Sequence, residues 1–325
     1  MRAIVCPEFG PPRVLRVEER PAPEPGPEEI TVAPHAWGIN YVDVLMVAGG
    51  YQLRPGLPFV PGLEGAGIVT GVGPGVSTPW IGDRVIFGMR PGAFAERVAV
   101  PASGVVPMPE SMSFEQGACF RSAFATAYHG LVQGGRLRAG EVALVHGATG
   151  GMGLAAVQVA KRLGATVIGT GGSEEKLRVV KQYGADHVID YGRGRFREQV
   201  RKLCGGADVI FDPIGGDVFD ESMHCLNWGA RLVVVGFTSG RAARARTNHL
   251  LIKGASVIGI RAGEFSRRHP EEGRENLITL LEWARKAQIY SHISHRFTFP
   301  DILPAMRVIE NREVVGRAIM VRDSR

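Results

Sequence analysis

The rhythm of hydrophobic and polar positions changes near residue 120. Before that point short apolar runs at 2–5, 30–33, 67–72, 84–87 and 95–100 are broken by Pro and Gly. Runs of this length between turn formers predict an all-β, barrel-like unit. From Glu141 the segment VALVHGATGGMGLAAVQVAKRLGATVIGT reads as an apolar strand, a glycine turn, a long helix without a breaker and a second β-rich strand. The alternation continues with helices over 174–183, 196–203 and 218–226 and strands over 187–190, 208–211, 231–235 and 256–260. Strands bounded by helices require a parallel, doubly wound sheet, so the fold class is α/β with a separate β-rich unit. An amphipathic helix is predicted over 274–287, with Leu277, Leu280, Leu281 and Ala284 on one face. The late run VGRAIMV reads as a strand returning to the first sheet. No internal repeat is visible.

Composition narrows the function classes. At 325 residues with 45% hydrophobic content, a chain usually divides into two domains. No apolar run reaches the roughly 20 residues needed to span a bilayer, and the opening MRAIVCPEFG lacks a signal peptide's apolar segment, so a cytoplasmic protein is expected. Cys6, Cys119, Cys204 and Cys225 lie far apart without a C-x-x-C spacing, which supports neither a disulfide framework nor a zinc knuckle. The formal charge of +6 gives no support for a nucleic-acid partner. The glycine excess, 44 residues beside 21 Pro, points to turns and close backbone approaches.

One glycine cluster has a specific context. HGATGGMG, residues 146–153, sits between a strand and a helix, where a dinucleotide pyrophosphate approaches a helix N-terminus and side chains must be absent. Gly150, Gly151 and Gly153 provide that clearance, with Met152 in the same binding turn. An NAD-preferring site places Asp or Glu at the end of the second strand for the ribose 2′-OH. Here that strand ends Gly169, Thr170, Gly171, Gly172, Ser173, with no carboxylate until Glu174 and Glu175 on the next helix. The missing acid favours a 2′-phosphate and hence NADPH. Gly172 clears the corner, Ser173 donates a hydrogen bond, Lys176 brings a point charge, and Tyr191 covers the edge. The competing reading of Lys176 is a solvated helix residue paired with its acidic neighbours.

Several motifs in order carry a resemblance: GINYVD with GGY, PFVPGLEGAGIV, GDRV, TAYHGL, HGATGGMG, GSEEK, DVIFDPIGGDVF, GARLVVVGF and ENREVVGRAIM. Over essentially its whole length the chain resembles the medium-chain dehydrogenases/reductases, in particular the zinc-independent NADPH:quinone oxidoreductases. The resemblance implies a GroES-like catalytic domain over 1–121, a Rossmann NADPH-binding domain over 122–262, and a return to the catalytic domain over 263–325. Zinc-dependent relatives would place a Cys where Asn40 stands and a His where Leu63 stands, and would insert a four-Cys lobe after GDRV. These are missing, so a zinc alkoxide route is not expected. The pair His292 and His295 has no Cys or acidic partner nearby in sequence.

The resemblance further implies that Asn40 and Thr126 lie near the nicotinamide, with Asp43 bracing the loop, and that Gly236, Phe237 and Thr238 pack on its side. Arg312 resembles a position that reaches the cofactor; a surface Arg is the competing reading. Tyr51 is the best polar candidate for proton donation or substrate orientation, with a structural aromatic as the alternative. Leu45 stands where several quinone reductases have a second Tyr, and Val47 where Arg is frequent, so a more apolar pocket is expected. Arg121 is expected to pair with a carboxylate in the fold, or else to attract an anionic substrate.

The expected activity is NADPH-dependent hydride transfer to quinones or other activated double bonds of small electrophilic molecules. The alternatives are an enoyl-thioester or enone reductase and, more remotely, a non-enzymatic NADPH- or RNA-binding protein, for which only the basic runs 193–197 and 241–246 speak. Relatives are commonly homodimers joined through the edge strand of the cofactor sheet. Residues 256–260 would otherwise be an unprotected edge, so a homodimer is expected.

Overall fold

The computed structural model describes residues 1–323. They form two compact units, one of Met1–Ser122 with the segment from Ser291 onward, the other Ala123–Tyr290. In the first, β1 (Arg2–Val5) pairs with β2 (Arg16–Glu19). The long β3 (Glu29–Ile39) pairs antiparallel with β4 (Glu64–Val72) and with β6 (Val98–Pro101), while β5 (Arg84–Gly88) links β4 to β7 (Val105–Pro107). The side chains of β3 that face inward meet Phe87, Phe94 and Met46, all fully buried beside Trp37 and Ile30. Pro34 sits at a register shift of β3, where a missing N–H is tolerated. A Cβ on Gly67 would lie 2.2 Å from the Ala33 carbonyl oxygen, so only glycine lets β4 cross β3 so closely at that bulge. Two short helices complete this stretch, α1 (Tyr41–Val47) and α2 (Phe114–Ala118), and α3 (Arg121–Tyr128) leads into the second unit. A π-helical turn, His129–Gly134, continues α3.

The second unit alternates strand and helix: β8 (Val142–Val145), α4 (Gly151–Arg162), β9 (Thr166–Gly171), α5 (Glu174–Gln182), β10 (His187–Asp190), α6 (Phe196–Cys204), β11 (Ala207–Asp212), α7 (Gly216–Ser222), β12 (Leu226–Val234), α8 (Thr247–Lys253) and β13 (Ser256–Gly259), then α9 (Ala262–Arg268) and α10 (Pro270–Arg285). All six strands are parallel, in the order β10-β9-β8-β11-β12-β13. The central strands are covered on both faces, with Leu144, Val167, Ile168, Val209 and Ile210 fully buried, which is why they read as continuous apolar runs. The order reverses direction between β8 and β11.

Two differences from the sequence reading change the topology. The helix expected over 218–226 starts earlier and ends at Ser222, because Leu226 already pairs with Ala207 in the sheet; Gly229, at φ +74°, marks the irregularity that hid the start of β12. The return to the first unit falls at Ser291 rather than 263. The reason is α10, whose Leu277, Leu280 and Leu281 are buried and whose Trp283 ring lies 5.7 Å from Tyr128 and under the Arg162 guanidinium. After the return, β14 (Ile293–Thr298), α11 (Ile302–Glu310) and β15 (Arg317–Val321) complete the first sheet, β15 lying between β14 and β3.

Candidate functional site

Ligands of open α/β sheets bind beyond the carboxyl ends of the strands where the strand order reverses. In the second unit that point is the end of β8. The chain is tied there on both sides, His146 N–H to the Phe211 carbonyl at 3.0 Å and Ala148 N–H to Thr170 at 2.9 Å. Gly147 turns in the left-handed region at φ +57°, and Gly150 caps α4. A Cβ on Gly153 would stand 2.1 Å from the Gly147 oxygen, so glycine is required to seat the helix on the turn. The first-turn N–H groups of α4, on Gly151, Met152 and Gly153, have no carbonyl one helical turn back to bond. Together they form a cradle that fits a pyrophosphate.

Behind the cradle His146 is fully buried. Its Nδ1 and Nε2 lie 2.8 Å from the hydroxyls of Thr170 and Ser222. Ser222 donates to the Val218 carbonyl, so it accepts from Nε2–H, and Nδ1 accepts from Thr170. Burial pushes the imidazole down to about 3, which keeps it neutral. This residue pins β8, β9 and α7 together.

At the end of β9, Gly171 packs against Thr149 and Leu177, and a Cβ on Gly172 would meet the Tyr191 ring at 3.3 Å. Ser173 is the N-cap residue of α5 without a capping hydrogen bond from its side chain, and Lys176 follows in the first turn. Gly172, Ser173, Lys176 and Tyr191 thus share one corner. On the other side of the reversal, Asp212 at the end of β11 accepts hydrogen bonds on Oδ1 from Ile214 N–H at 2.8 Å and Gly215 N–H at 3.0 Å. Its Oδ2 is buried without a partner, and burial raises its carboxyl above the usual range. The loop it holds accepts from Thr238 N–H and Ser239 N–H at 3.0 Å each, so Asp212 fixes the segment Gly236, Phe237 and Thr238. Sequence reasoning passed over Asp212; an Asp between an apolar strand and Pro-Ile-Gly-Gly was the available signal. Thr126 lies partly buried on α3.

The first unit holds the remaining candidates. Asn40 caps α1 and is 8% exposed. Its Nδ2 donates to Glu64 Oε1 at 3.0 Å and its Oδ1 accepts from Arg317 Nη1 at 2.8 Å. Arg317 Nη2 meets Glu64 Oε1 at 2.5 Å, and Glu64 Oε2 accepts from Ser122 N–H at 2.8 Å. Asp43, fully buried, takes the Asn40 N–H on Oδ2 at 2.7 Å, while its Oδ1 has no partner. Arg317 was not singled out from sequence, although a charge at an inward position of a strand demands a buried partner.

Arg121 differs from expectation: Nη1 donates to the Gly104 carbonyl, no carboxylate among the described residues forms an ion pair with it, and burial, against the pull of Glu64, lowers its guanidinium. Tyr51 packs its ring against the core. Arg312 is an exposed residue in the left-handed region at φ +57°, just after α11. His295 bonds Ser294. Among the described residues no cluster of His, Cys, Asp and Glu could hold a metal. A zinc ion does not fit at Asn40 and Leu63: neither offers a thiolate or imidazole, and both oxygens of Glu64 are engaged.

The first unit matches the family profile described as alcohol dehydrogenase GroES-like domain over residues 26–110, and the second that described as zinc-binding dehydrogenase over 151–283. The chain is 36% identical over 325 residues to the quinone oxidoreductase-like protein 2 homolog of Nematostella vectensis, covering 98% of this chain and 88% of that protein. The chain belongs to the quinone oxidoreductase family of medium-chain dehydrogenases/reductases. As a member of that family it is an oxidoreductase with GroES-like and Rossmann-type parts. The Escherichia coli quinone oxidoreductase, solved complexed with NADPH, superposes with a TM-score of 0.92 at 30% identity over 99% of this chain and 100% of that one. A structure described as an NAD-dependent alcohol dehydrogenase reaches 0.91, also at 30%, over 99% of each chain. Within this superfamily, overall likeness does not separate the two chemistries, and the site residues must.

Proposed function

We propose that this quinone oxidoreductase family member is a zinc-independent, NADPH-dependent reductase of quinones or other activated double bonds. The observation that carries the reading is the end of β9, where Gly171, Gly172 and Ser173 stand in place of a ribose-binding carboxylate, beside a glycine cradle at the strand-order reversal. The NADPH complex of the Escherichia coli relative supports the same cofactor. Gly150, Gly151, Met152 and Gly153 hold the pyrophosphate; Gly172, Ser173, Lys176 and Tyr191 hold the 2′-phosphate; Gly236, Phe237, Thr238, Asn40, Thr126 and Arg312 complete the cofactor contacts. When bound, NADPH supplies the hydride. A quinone then needs only a proton to become the hydroquinone, so the protein's task is orientation and exclusion of water. Tyr51 orients the substrate or supplies that proton. Asn40, locked between Glu64 and Arg317, presents a fixed amide.

A homodimer through β13 belongs to the same proposal. This strand ends the sheet, and beside it Trp228, Leu251 and Ile252 are 78%, 82% and 66% exposed. Such an apolar group on an open edge favours pairing with a second copy.

The test is stopped-flow oxidation of NADPH by a panel of quinones beside crotonyl-CoA and alkyl enones. Saturable turnover of quinones supports the reading. Turnover of the thioester alone would replace it with an enoyl-thioester reductase, and reduction of NADP+ by an alcohol only when zinc is added, with no turnover of quinones, would overturn it.

A further inference from the structure

The corner assigned to the 2′-phosphate is short of positive charge. Its two segments, 172–176 and 190–193, carry three carboxylates, Glu174, Glu175 and Asp190, against two cations, Lys176 and Arg193. A phosphate dianion entering beside Lys176 alone would face an excess of negative charge, which like-charge repulsion opposes. Arg193 spans the two walls. Its Nη2 lies 2.5 Å from Glu174 Oε2 at the start of α5, and its Nε lies 3.6 Å from Asp190 Oδ2 at the end of β10. Gly192 N–H bonds Asp190 Oδ1 at 2.8 Å, which fixes the turn that carries the arginine, and Tyr191 lies against Gly172 between the two walls.

We propose that Arg193 is a specificity-determining residue that exchanges its bond to Glu174 for the 2′-phosphate of NADPH. The inference rests on the NADPH reading above. Both partners of the present pair are well exposed, with side-chain exposures of 70% and 58%, and ion pairs of that kind contribute little net stability. A guanidinium gains more from a phosphate dianion, which it can meet with two parallel N–H bonds. Glu174 thus competes with the cofactor, and Arg193 sets how strongly the corner distinguishes NADPH from NADH.

The experiment measures dissociation constants of NADPH and NADH by fluorescence titration for wild type, Arg193→Ala, Arg193→Lys and Glu174→Gln. Losing one charge-assisted contact should weaken NADPH binding about tenfold in Arg193→Ala, with NADH affinity unchanged. Arg193→Lys should fall between the two, since it keeps the charge without the fork. Glu174→Gln should bind NADPH more tightly than wild type, by removing the competitor, and the effect of Arg193→Ala should shrink as salt is raised. A wild type that prefers NADPH and keeps the same preference in Arg193→Ala overturns this inference alone. A wild type indifferent to the 2′-phosphate overturns the cofactor reading and the inference with it.

Discussion

Asp43 shows how one buried side chain ties stability to pH. It has no exposed surface, one oxygen without a partner, and a carboxyl pushed up to about 7, chiefly by burial and against the pull of the Asn40 N–H. In the unfolded chain the same group titrates at roughly 4. Between those values the folded protein keeps the proton and the unfolded chain has lost it, so stability falls as pH rises through that window and levels off above about 7. Asp43→Asn keeps an acceptor for the Asn40 N–H and has no proton to exchange. Its melting temperature relative to wild type should climb between about pH 5 and pH 8, read by calorimetry; a constant difference would show that Asp43 does not titrate in this range. From sequence, Asp43 was legible as a loop brace by resemblance. Its burial was not, because that depends on β4 and β15 arriving from distant parts of the chain. Arg317 escaped notice for the same reason: the apolar run AIMV marks a strand, but only the placement of β15 against β3 sets the residue before it inward beside Glu64.

At the level of elements, the turns after β8, β9 and β11 do different work although each follows a parallel strand. The first two were legible because glycine leaves a pattern in the sequence. The third depends on a carboxylate, and nothing periodic marks it. If Asp212 holds the 236–238 segment through the 213–215 loop, then Asp212→Ala should weaken NADPH binding about tenfold. Asp212→Asn, which retains the Oδ1 acceptor, should restore most of it. Equal losses in both variants at unchanged melting temperature would show that the charge matters and the hydrogen bonds do not. The π-helical turn His129–Gly134 was also missed. There Gly130, Gly134 and the capping Gly135 lie close to Phe211, Ile260 and Val209, and a π-helical segment this short leaves no distinctive apolar period in the sequence.

For the molecule as a whole, the α/β class and the succession of strands and helices along the second unit were readable from rhythm alone, while the point of return was not. The helix Pro270–Arg285 carries the same amphipathic stripe whichever unit it covers, and only the ring contacts of Trp283 assign it. Light scattering should report twice the 35.0 kDa chain mass, and replacing both Leu251 and Ile252 by Glu should return the monomer with its fold intact. A wild-type monomer would remove the β13 interface from the proposal.

The position of β15 has a consequence for how the protein is made. The second unit, Ala123–Tyr290, is one contiguous stretch that leaves the ribosome ahead of β14 and β15 and is free to fold before they appear. The first unit must wait for β15, which fills the gap between β14 and β3 and carries the guanidinium that neutralises Glu64. A stop codon placed just before β15 should therefore leave a folded Rossmann unit attached to an unfinished barrel, and quality-control proteases should recognise the barrel first.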